Sequence, residues 1–242
     1  MDRQFIFRQL GGNSFAGMTL RVAGNFYPDG SFDKAFEVAD RALAISGFNQ
    51  TEYIIMRVEE HGNNIWFFEE IKKREAYQIF CDGVIYRGTG AAVFFPGGCP
   101  AIAFHDEAIG ISGMLHGGWK SIAQGVVKNF LHKWEDAGGL PNTTQIEFLP
   151  SICSNCLKFD NDYFKKVSAA MAPIKAYMFA RRRNERYVSF NLLKLIEILI
   201  NGFGYKVENN TDCVCCSGNH WCYRCDDKNG RKYRNAAFII SR

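Results

Sequence analysis

One segment, residues 113–134 with the sequence GMLHGGWKSIAQGVVKNFLHKW, limits what this chain can fold into more than any other. It starts inside an apolar run, residues 109–115, that is typical of a buried strand. That run leads to His116 and two glycines. From Trp119 onward apolar residues recur at helical spacing, which predicts one amphipathic helix to Trp134. We therefore expect His116 at the end of a buried strand, beside glycines that let a ligand approach the backbone closely.

The rest of the chain alternates irregularly between short apolar segments and helical patterns, without an internal repeat or a low-complexity linker. A length of 242 residues, with 47% hydrophobic and 22% charged residues, suits a globular domain with a sizeable core. These observations predict an α/β (α+β) fold and a single domain over residues 1–242, with a mixed β-sheet core packed by helices.

The sequence also limits the cellular location and the binding partners that we expect. The first residues carry charges too early for a signal peptide, and no stretch approaches the roughly 20 apolar residues of a membrane span. Nine cysteines in such a chain indicate thiols or metal ligands rather than a disulfide framework. The basic run at residues 181–186 is interpreted as a solvated loop, with a phosphate or nucleic-acid patch as the alternative. A net charge of +4 argues neither for nor against an acidic partner. We expect a cytoplasmic protein, a monomer or small homo-oligomer, that binds neither nucleic acid nor membranes.

Three potential metal ligands lie beside glycines in turns that follow predicted strands: His61, Cys99 and His116. Such turns converge when their strands end at the same edge of a sheet. Two imidazoles and a thiolate suit Zn²⁺, and three protein ligands leave a fourth position open, as in catalytic zinc sites. Zinc in such a site makes water a nucleophile near neutral pH. The residues leave two alternatives open: a Cys99 thiol nucleophile with His116 as its base, and a purely structural role for His116.

The chain contains five histidines, and two of the others are expected at the surface. His105 falls in a polar turn between two predicted strands. His132 lies on the polar side of the predicted helix. Neither is therefore a candidate ligand.

Two Cys-x-x-Cys pairs near the end of the chain, Cys213/Cys216 and Cys222/Cys225, form a second candidate site. Two such pairs are the usual sign of a structural Cys₄ zinc site. Only five residues separate the pairs here, against about 15–20 in the usual pattern. The pattern alone leaves open whether these four cysteines bind a second zinc ion.

Several short motifs follow one another in an order that is more specific than any one of them. They are Gly11-Gly12-Asn13-Ser14, Glu59-Glu60-His61-Gly62, Cys81-Asp82-Gly83, Gly98-Cys99, His116-Gly117-Gly118-Trp119-Lys120, Pro150-Ser151-Ile152 with Cys156, and Cys222-Tyr223-Arg224-Cys225-Asp226 with Gly230-Arg231. In order and spacing they resemble motifs of the laccase-domain (YfiH-like) family, including its His-Ala-Gly-Trp-Arg-Gly signature. Members of that family are described as polyphenol oxidases and as zinc-dependent purine nucleoside phosphorylases. The resemblance covers nearly the whole chain.

The resemblance implies a YfiH-like fold and a zinc enzyme that acts on purine nucleosides. The expected reactions are phosphorolysis of adenosine, inosine and 5′-methylthioadenosine to free base plus ribose 1-phosphate, and deamination of adenosine. It places the metal ligands, which we also predict to be the catalytic residues, at His61, Cys99 and His116. The expected partners are a small-molecule nucleoside and phosphate. The cationic side chains that we predict for phosphate are Lys120, Arg224 and Arg231.

The chain also departs from the family's motifs. Gly98 replaces an aspartate before the ligand cysteine, and Lys120 replaces an arginine that would bind phosphate through two hydrogen bonds. Cys222 and Cys225 stand where the family has serine and arginine, so the four-cysteine pattern is interpreted as partly accidental. Two other functions stay open: a copper-dependent polyphenol oxidase, for which five histidines are few, and a catalytically silent binding or scaffold protein.

Overall fold

The structure, a computed structural model, describes residues 4–29, 31–47, 52–58, 61–72, 76–227 and 231–242. Within these ranges the chain forms an α/β fold, which confirms the predicted fold class. Of the motif residues, Glu59, Glu60 and Gly230 lie outside the described residues.

The strands are β1 (Phe5–Gln9), β2 (Phe15–Thr19), β3 (Tyr53–Arg57), β4 (Ile65–Phe68), β5 (Ala76–Phe80), β6 (Gly83–Arg87), β7 (Gly90–Phe94), β8 (Ala101–Asp106), β9 (Ile111–His116), β10 (Thr144–Phe148), β11 (Lys158–Asp160), β12 (Ala180–Arg182), β13 (Tyr187–Phe190) and β14 (Ala237–Ser241). The α-helices are α1 (Phe32–Ile45), α2 (Trp119–Ala123), α3 (Val126–Asp136), α4 (Asn161–Ala170), α5 (Leu192–Asn201) and α6 (Tyr223–Asp226). Short 3₁₀ helices span Arg21–Ala23, Ala172–Ile174 and Ala176–Phe179. Among the described residues, no helix has the length and apolar character needed to cross a membrane.

Two larger sheets pack against each other and hold the main core between them. One has the strand order β1-β2-β14-β7-β3-β5, and the other has the order β10-β8-β9-β6-β4. Both are mixed, because β3 runs parallel to β5 and β7, and β4 runs parallel to β6, whereas the remaining neighbours are antiparallel. The last strand, β14, lies inside its sheet and packs against β8 and β9 of the other sheet. A third sheet has the order β11-β13-β12.

The six-stranded sheet is buried on both faces. On β3, Ile54 and Met56 belong to the core between the sheets, whereas Tyr53 and Ile55 belong to a second cluster on the opposite face. The buried side chains of α1, which covers that face, are Ala35, Val38, Ala39, Ala42 and Leu43. Because strand side chains alternate between faces, a continuous apolar run is what a strand covered on both sides requires.

Helix α3 packs on the five-stranded sheet. Phe104 of β8 contacts Phe130 and Trp134 of α3, with ring centroids 4.6 and 5.6 Å apart. Trp134 also donates a hydrogen bond from Nε1 to Oγ1 of Thr144 (2.9 Å), so its polar atom is satisfied. Full burial of one such aromatic side chain stabilises the fold by about 1.5–3 kcal/mol. These contacts anchor the segment that follows His116.

That segment forms two helices rather than the single helix predicted. α2 ends at Ala123 and α3 begins at Val126, because Gly125 between them adopts a left-handed conformation with φ 82°. The apolar spacing continues across the break, so periodicity alone does not reveal it. A Cβ at Gly125 would meet nothing within 4 Å, so the backbone angle and not lack of space requires glycine here.

Strand β9 starts and ends slightly later than the predicted apolar run and includes His116. It lies between β6 and β8, and His116 is paired with Ala101 of β8. The amide of His116 also donates to the carbonyl of Asp82 (2.8 Å). His116 is therefore held by backbone bonds on both sides at the end of a central strand.

Candidate metal centre and neighbouring cavity

Three side chains meet where β9 ends: those of His61, Cys99 and His116. Their ligand atoms all lie within 4.8 Å of one another, and the two imidazole centroids are 5.0 Å apart. Cys99 lies in the turn between β7 and β8, where the amide of Gly117 donates to the Pro100 carbonyl (2.8 Å) and holds this turn against β9. The structure thus brings the three predicted residues together, and their role as zinc ligands and catalytic residues stays a prediction.

Gly118 leaves room for the two imidazoles. A Cβ at this position would lie 2.5 Å from Cδ2 of His61 and 2.6 Å from Cε1 of His116. At Gly117 a Cβ would lie 2.6 Å from Cδ1 of Ile196. The backbone of Gly118 (φ −66°, ψ 146°) is accessible to any residue. Packing against the two histidines, and not a positive φ, therefore requires glycine at position 118.

Asp82 belongs to the candidate site, although the sequence analysis did not assign it a role. Its buried carboxylate accepts hydrogen bonds from the Ser121 hydroxyl (2.6 Å) and the Gly62 amide (2.8 Å), and it lies 2.9 Å from Nδ1 of His116. A carboxylate at Nδ1 orients the imidazole so that Nε2 is left to bind a metal, a common support for ligand histidines. The sequence signal that could have identified Asp82 is an acidic residue next to a buried apolar strand, because buried carboxylates are rare unless they are paired.

The charges of these side chains are coupled. Burial raises the pKa of the Cys99 thiol, but hydrogen bonds from His116 and His61, together with their charges, outweigh it and lower the pKa to about 6. Burial lowers the pKa of His116, but its bonds to Asp82 and Cys99 outweigh this and raise the pKa to about 9. Cys99 is therefore readily available as a thiolate, the form that binds metals and also the form that acts as a nucleophile.

The three residues fit a zinc ion. Ligand atoms around a tetrahedral zinc lie about 3.3–3.8 Å apart when the bonds are about 2.0–2.3 Å long. The observed group, within 4.8 Å, needs only small side-chain adjustments to reach these distances. Nε2 of His116, a ring nitrogen of His61 and Sγ of Cys99 would hold the ion. Two nitrogens and one sulfur also suit copper, so the donor set alone does not select the metal.

A cavity of about 420 Å³ opens beside His61. Aromatic and cationic side chains that line it are Tyr27, Phe94, Phe95, Arg57, Lys232 and Arg234. The ring of Phe94 lies 5.2 Å from that of His116, centroid to centroid, so the cavity extends to the candidate ligands. Its volume suits a small organic ligand, its aromatic faces suit a planar ring, and its cations suit an anion.

Arg234 connects this cavity with the Cys99 turn. Its Nη1 lies 3.0 Å from Oδ2 of Asp227, and a Cβ at Gly97 would lie 3.0 Å from the same nitrogen. The guanidinium carbon is 5.5 Å from the ring centroid of Tyr27. A charged group is thus held between an aromatic cavity wall and the turn that carries Cys99.

The three cations predicted from the sequence lie outside this lining. Lys120, Arg224 and Arg231 are exposed, and none of them is among the described residues that line the cavity. Lys120 Nζ lies 5.9 Å from the ring centroid of Trp119, and Arg224 lies 5.5 Å from that of Phe159. Their contact with phosphate stays a prediction.

One of the two expected surface histidines is buried. His105 belongs to β8, and its Nδ1 lies 2.9 Å from Oγ of Ser112 on β9. The prediction was wrong because the strand extends through His105 to Asp106, beyond the apolar residues. The His132 side chain is 52% exposed, as predicted.

The cysteines do not form the group that their spacing suggested. Seven of the nine cysteines fall into two sets of neighbouring sulfurs: one contains Cys153, Cys156, Cys213 and Cys216, and the other contains Cys215, Cys222 and Cys225. Cys215 and Cys225 are joined in a disulfide. The grouping of the 213/216 pair with the 222/225 pair, which the sequence pattern left open, does not occur, because backbone bonds place residue 213 beside residue 151.

Comparison with known proteins agrees with the fold. A family model described as multi-copper polyphenol oxidoreductase laccase matches residues 29–241. A protein named purine nucleoside phosphorylase from Borreliella burgdorferi is 27% identical over 148 residues, which are 59% of this chain and 62% of that protein. The aligned part of the chain thus spans less than two thirds of that relative.

Solved structures share the fold at low sequence identity. YlmD from Geobacillus stearothermophilus superposes with a TM-score of 0.79 at 17% identity, covering 98% of this chain and 99% of that chain. The hypothetical protein YfiH from Bacillus licheniformis gives 0.78 at 17% identity, covering 95% and 93%. The Neisseria meningitidis protein NMB0706 gives 0.72 at 16% identity, covering 98% of each chain.

Proposed function

This chain belongs to the multi-copper polyphenol oxidoreductase laccase family, and from this premise we propose that it is a zinc-dependent enzyme that processes purine nucleosides. The proposed reactions are phosphorolysis of adenosine, inosine and 5′-methylthioadenosine, and hydrolytic deamination of adenosine. The observation that carries the proposal is the convergence of His61, Cys99 and His116 beside a cavity with aromatic and cationic walls. The name of the Borreliella burgdorferi relative supports the same substrate class.

The residues around the cavity have distinct roles in this proposal. Tyr27, Phe94 and Phe95 provide aromatic surface against which a purine base packs. Asp82 holds His116 in one orientation, so that the ligand set is formed before the substrate binds. A bound zinc ion supplies Lewis acidity and makes water a nucleophile near neutral pH.

Two different bonds are broken in the two proposed reactions. In phosphorolysis a phosphate oxygen attacks C1′ of the ribose, the N9–C1′ bond breaks, and the electron pair leaves with the protonated base. In deamination water adds at C6 of adenosine and ammonia leaves. Only the first reaction needs phosphate, so phosphate dependence separates the two activities.

We place the phosphate at the cationic wall of the cavity. Lys232 and Arg234 line the cavity on the same segment of the chain, and Arg57 lines it from β3. Cationic side chains form charge-assisted hydrogen bonds with phosphate, and these are stronger than hydrogen bonds between neutral groups. Lys120, Arg224 and Arg231 are the alternative contacts.

Paired substitutions distinguish the two phosphate sites. Lys232→Ala and Arg234→Ala should raise the phosphate concentration required for phosphorolysis by roughly 10–150-fold, because a contact with a charged group contributes about 1.5–3 kcal/mol. Lys120→Ala and Arg231→Ala are the matched controls and should leave it unchanged. Adenosine deamination should persist in all four variants. The reverse pattern would move the phosphate to the sites predicted from the sequence.

The activity itself is tested on metal-loaded protein incubated with each nucleoside, with and without phosphate. We expect phosphate-dependent release of adenine or hypoxanthine, phosphate-independent conversion of adenosine to inosine, and loss of both after chelation. Protein that binds zinc but converts no nucleoside would contradict the proposal and favour a binding or scaffold role, for which Gly98 and Lys120 are the sequence arguments.

The alkylation rate of Cys99 separates a zinc ligand from a free nucleophile. A zinc-bound thiolate should react slowly until a chelator is added. A free Cys99 thiolate activated by His116 would react rapidly in the presence of zinc. Peptide mapping by mass spectrometry measures both rates, and equal rates would contradict zinc ligation.

Copper-dependent phenol oxidation is the second candidate function, because the His₂Cys donor set also binds copper and the family's description names it. Multi-copper chemistry requires several histidine-rich sites. The five histidines of this chain, with two in the candidate centre, favour a single ion instead. Phenol turnover by copper-loaded protein, absent from zinc-loaded protein, would reverse this preference.

A further inference from the structure

Four cysteines from two distant Cys-x-x-Cys motifs meet outside the candidate metal centre. The sulfurs of Cys153, Cys156, Cys213 and Cys216 all lie within 4.8 Å of one another. Cys216 Sγ is 3.2 Å from Cys156 Sγ and 3.8 Å from Cys153 Sγ. None of the four is in a disulfide.

The two motifs fold into the same kind of turn. In the first, the amide of Leu157 donates to the carbonyl of Cys153 (2.8 Å), and in the second, the amide of Ser217 donates to the carbonyl of Cys213 (3.0 Å). Each turn brings the two cysteines of its motif onto one side. Two such turns facing each other are the arrangement in which paired Cys-x-x-Cys motifs enclose a metal ion.

Backbone bonds hold the two turns together. The amide of Ser151 donates to the Asp212 carbonyl (3.0 Å), and the amide of Val214 donates to the Ser151 carbonyl (3.2 Å). The sulfur of Cys213 is also approached by two backbone amides, those of Cys153 at 3.3 Å and Cys216 at 3.4 Å. Amide donors that point at a sulfur favour the thiolate, which is the form that binds metals.

Four thiolates this close repel one another unless a cation lies between them. A divalent ion removes that repulsion and satisfies all four sulfurs at once, and four cysteines in tetrahedral contact suit zinc. Because all four positions would be taken by protein, such an ion has no open position for water or substrate. Its role would therefore be structural.

We propose that Cys153, Cys156, Cys213 and Cys216 bind one structural Zn²⁺ ion, distinct from the candidate centre at His61, Cys99 and His116. The proposal does not depend on the nucleoside chemistry. The ion links the loop after β10 to the loop before α6, two segments that the sequence separates by more than fifty residues.

This second site supports the turn that carries Cys99. The amide of Ile152 donates to the Gly98 carbonyl (2.9 Å), and the amide of Tyr223 donates to the Gly97 carbonyl (2.7 Å). Val214, inside the second motif, would lie 3.6 Å from a Cβ at Gly98. Loss of the structural ion should therefore loosen the Cys99 turn and weaken metal binding at the candidate centre.

Metal content measured on variants tests the proposal. Wild-type protein loaded with zinc and then desalted should contain two zinc ions per chain. The double variant Cys153→Ser/Cys156→Ser should lose the structural ion, and His61→Ala/His116→Ala should lose only the other. The control Cys81→Ala, a buried thiol outside both groups, should keep two. A Cys153→Ser/Cys156→Ser variant that retains two ions, or a wild type whose single ion depends on His61 and His116, would overturn the proposal.

A measurement on the wild type covers the case in which the cysteine variant does not fold. Zinc-loaded protein is alkylated with and without a chelator, and the modified cysteines are mapped by mass spectrometry. We expect Cys153, Cys156, Cys213 and Cys216 to become reactive together only after chelation. Four thiols that react equally with zinc present, disulfides among these four, or iron in place of zinc would each contradict the assignment.

Discussion

At the scale of single residues, the candidate centre depends on groups that do not themselves bind metal. Asp82 orients His116, and Gly118 leaves the space that the rings of His61 and His116 occupy. Both residues belong to motifs visible in the sequence. Their roles appear only when the contacts around them are known.

Asp82→Asn should weaken zinc binding at the candidate centre by about 10–100-fold, because the carboxylate that orients His116 is replaced by a neutral amide. Zinc titration against a competing chelator measures the change, with the Cys₄ site counted separately. The control is Asp106→Asn, which alters another buried carboxylate, one that accepts bonds from Thr143 and Leu140 at the far end of β8. Equal losses of affinity in both variants would show a general effect on folding and would contradict a positioning role for Asp82.

Gly118→Ala should displace the imidazoles and reduce both zinc affinity and nucleoside turnover at least about tenfold. The added Cβ would lie 2.5 Å from His61, and overpacking of this kind typically costs about 1–3 kcal/mol. The matched control is Gly202→Ala at the end of α5, where φ is −63° and the nearest atom is 3.3 Å away. Unchanged zinc affinity in Gly118→Ala would show that the rings can move aside without loss of the site.

At the scale of elements, the break between α2 and α3 separates two functions of one segment. α2 begins directly after the site and presents Ser121 to Asp82, whereas α3 packs Phe130 and Trp134 on the five-stranded sheet. In a continuous helix, the direction of Ser121 would be fixed relative to that of Phe130 and Trp134. Gly125 uncouples them with a left-handed backbone.

Gly125→Ala should destabilise the protein by about 1 kcal/mol, because a left-handed conformation costs a residue with a Cβ about 1–2 kcal/mol and the lower entropy of the unfolded chain offsets part of it. Urea unfolding measures the change in the free energy of unfolding. Zinc stoichiometry should stay at the wild-type value, since no atom lies within 4 Å of the new Cβ. A stability equal to that of wild type would mean that α2 and α3 can join at little cost.

At the scale of the whole molecule, the last strand completes the core. β14 lies between β2 and β7, and the alternate residues Phe238 and Ile239 enter the two different hydrophobic clusters. The chain therefore cannot complete either core until its final residues have formed their strand. Such a long-range closure makes the fold sensitive to changes at this end.

Phe238→Ala should lower the free energy of unfolding by about 3–5 kcal/mol, as expected when a fully buried aromatic side chain is removed. The control Tyr177→Ala removes an aromatic side chain that is 57% exposed, and it should change stability by less than about 0.5 kcal/mol. Denaturant unfolding followed by tryptophan fluorescence compares the two. Similar values would contradict the central position of β14.

Much of the candidate centre was accessible from the sequence because its signals are local. An apolar strand followed by histidine and glycines predicts where His116 lies. His61 and Cys99 likewise lie beside glycines in turns that follow predicted strands. The order of short motifs then identified the family-like fold. These signals hold because hydrophobic periodicity and turn residues act over a few positions of the chain.

The tertiary structure alone decided which distant residues meet. Cys213 and Cys216 lie with Cys153 and Cys156 instead of the nearer cysteines, and Asp82, directly before β6, contacts His116 at the end of the neighbouring strand β9. The cationic cavity wall likewise combines β3 with the segment before β14. Such pairings follow from the order and register of strands in the sheets, which depend on burial across the whole core. Spacing therefore suggested that Cys213 and Cys216 group with cysteines close to them in sequence. The fold instead places them beside cysteines that are distant in sequence.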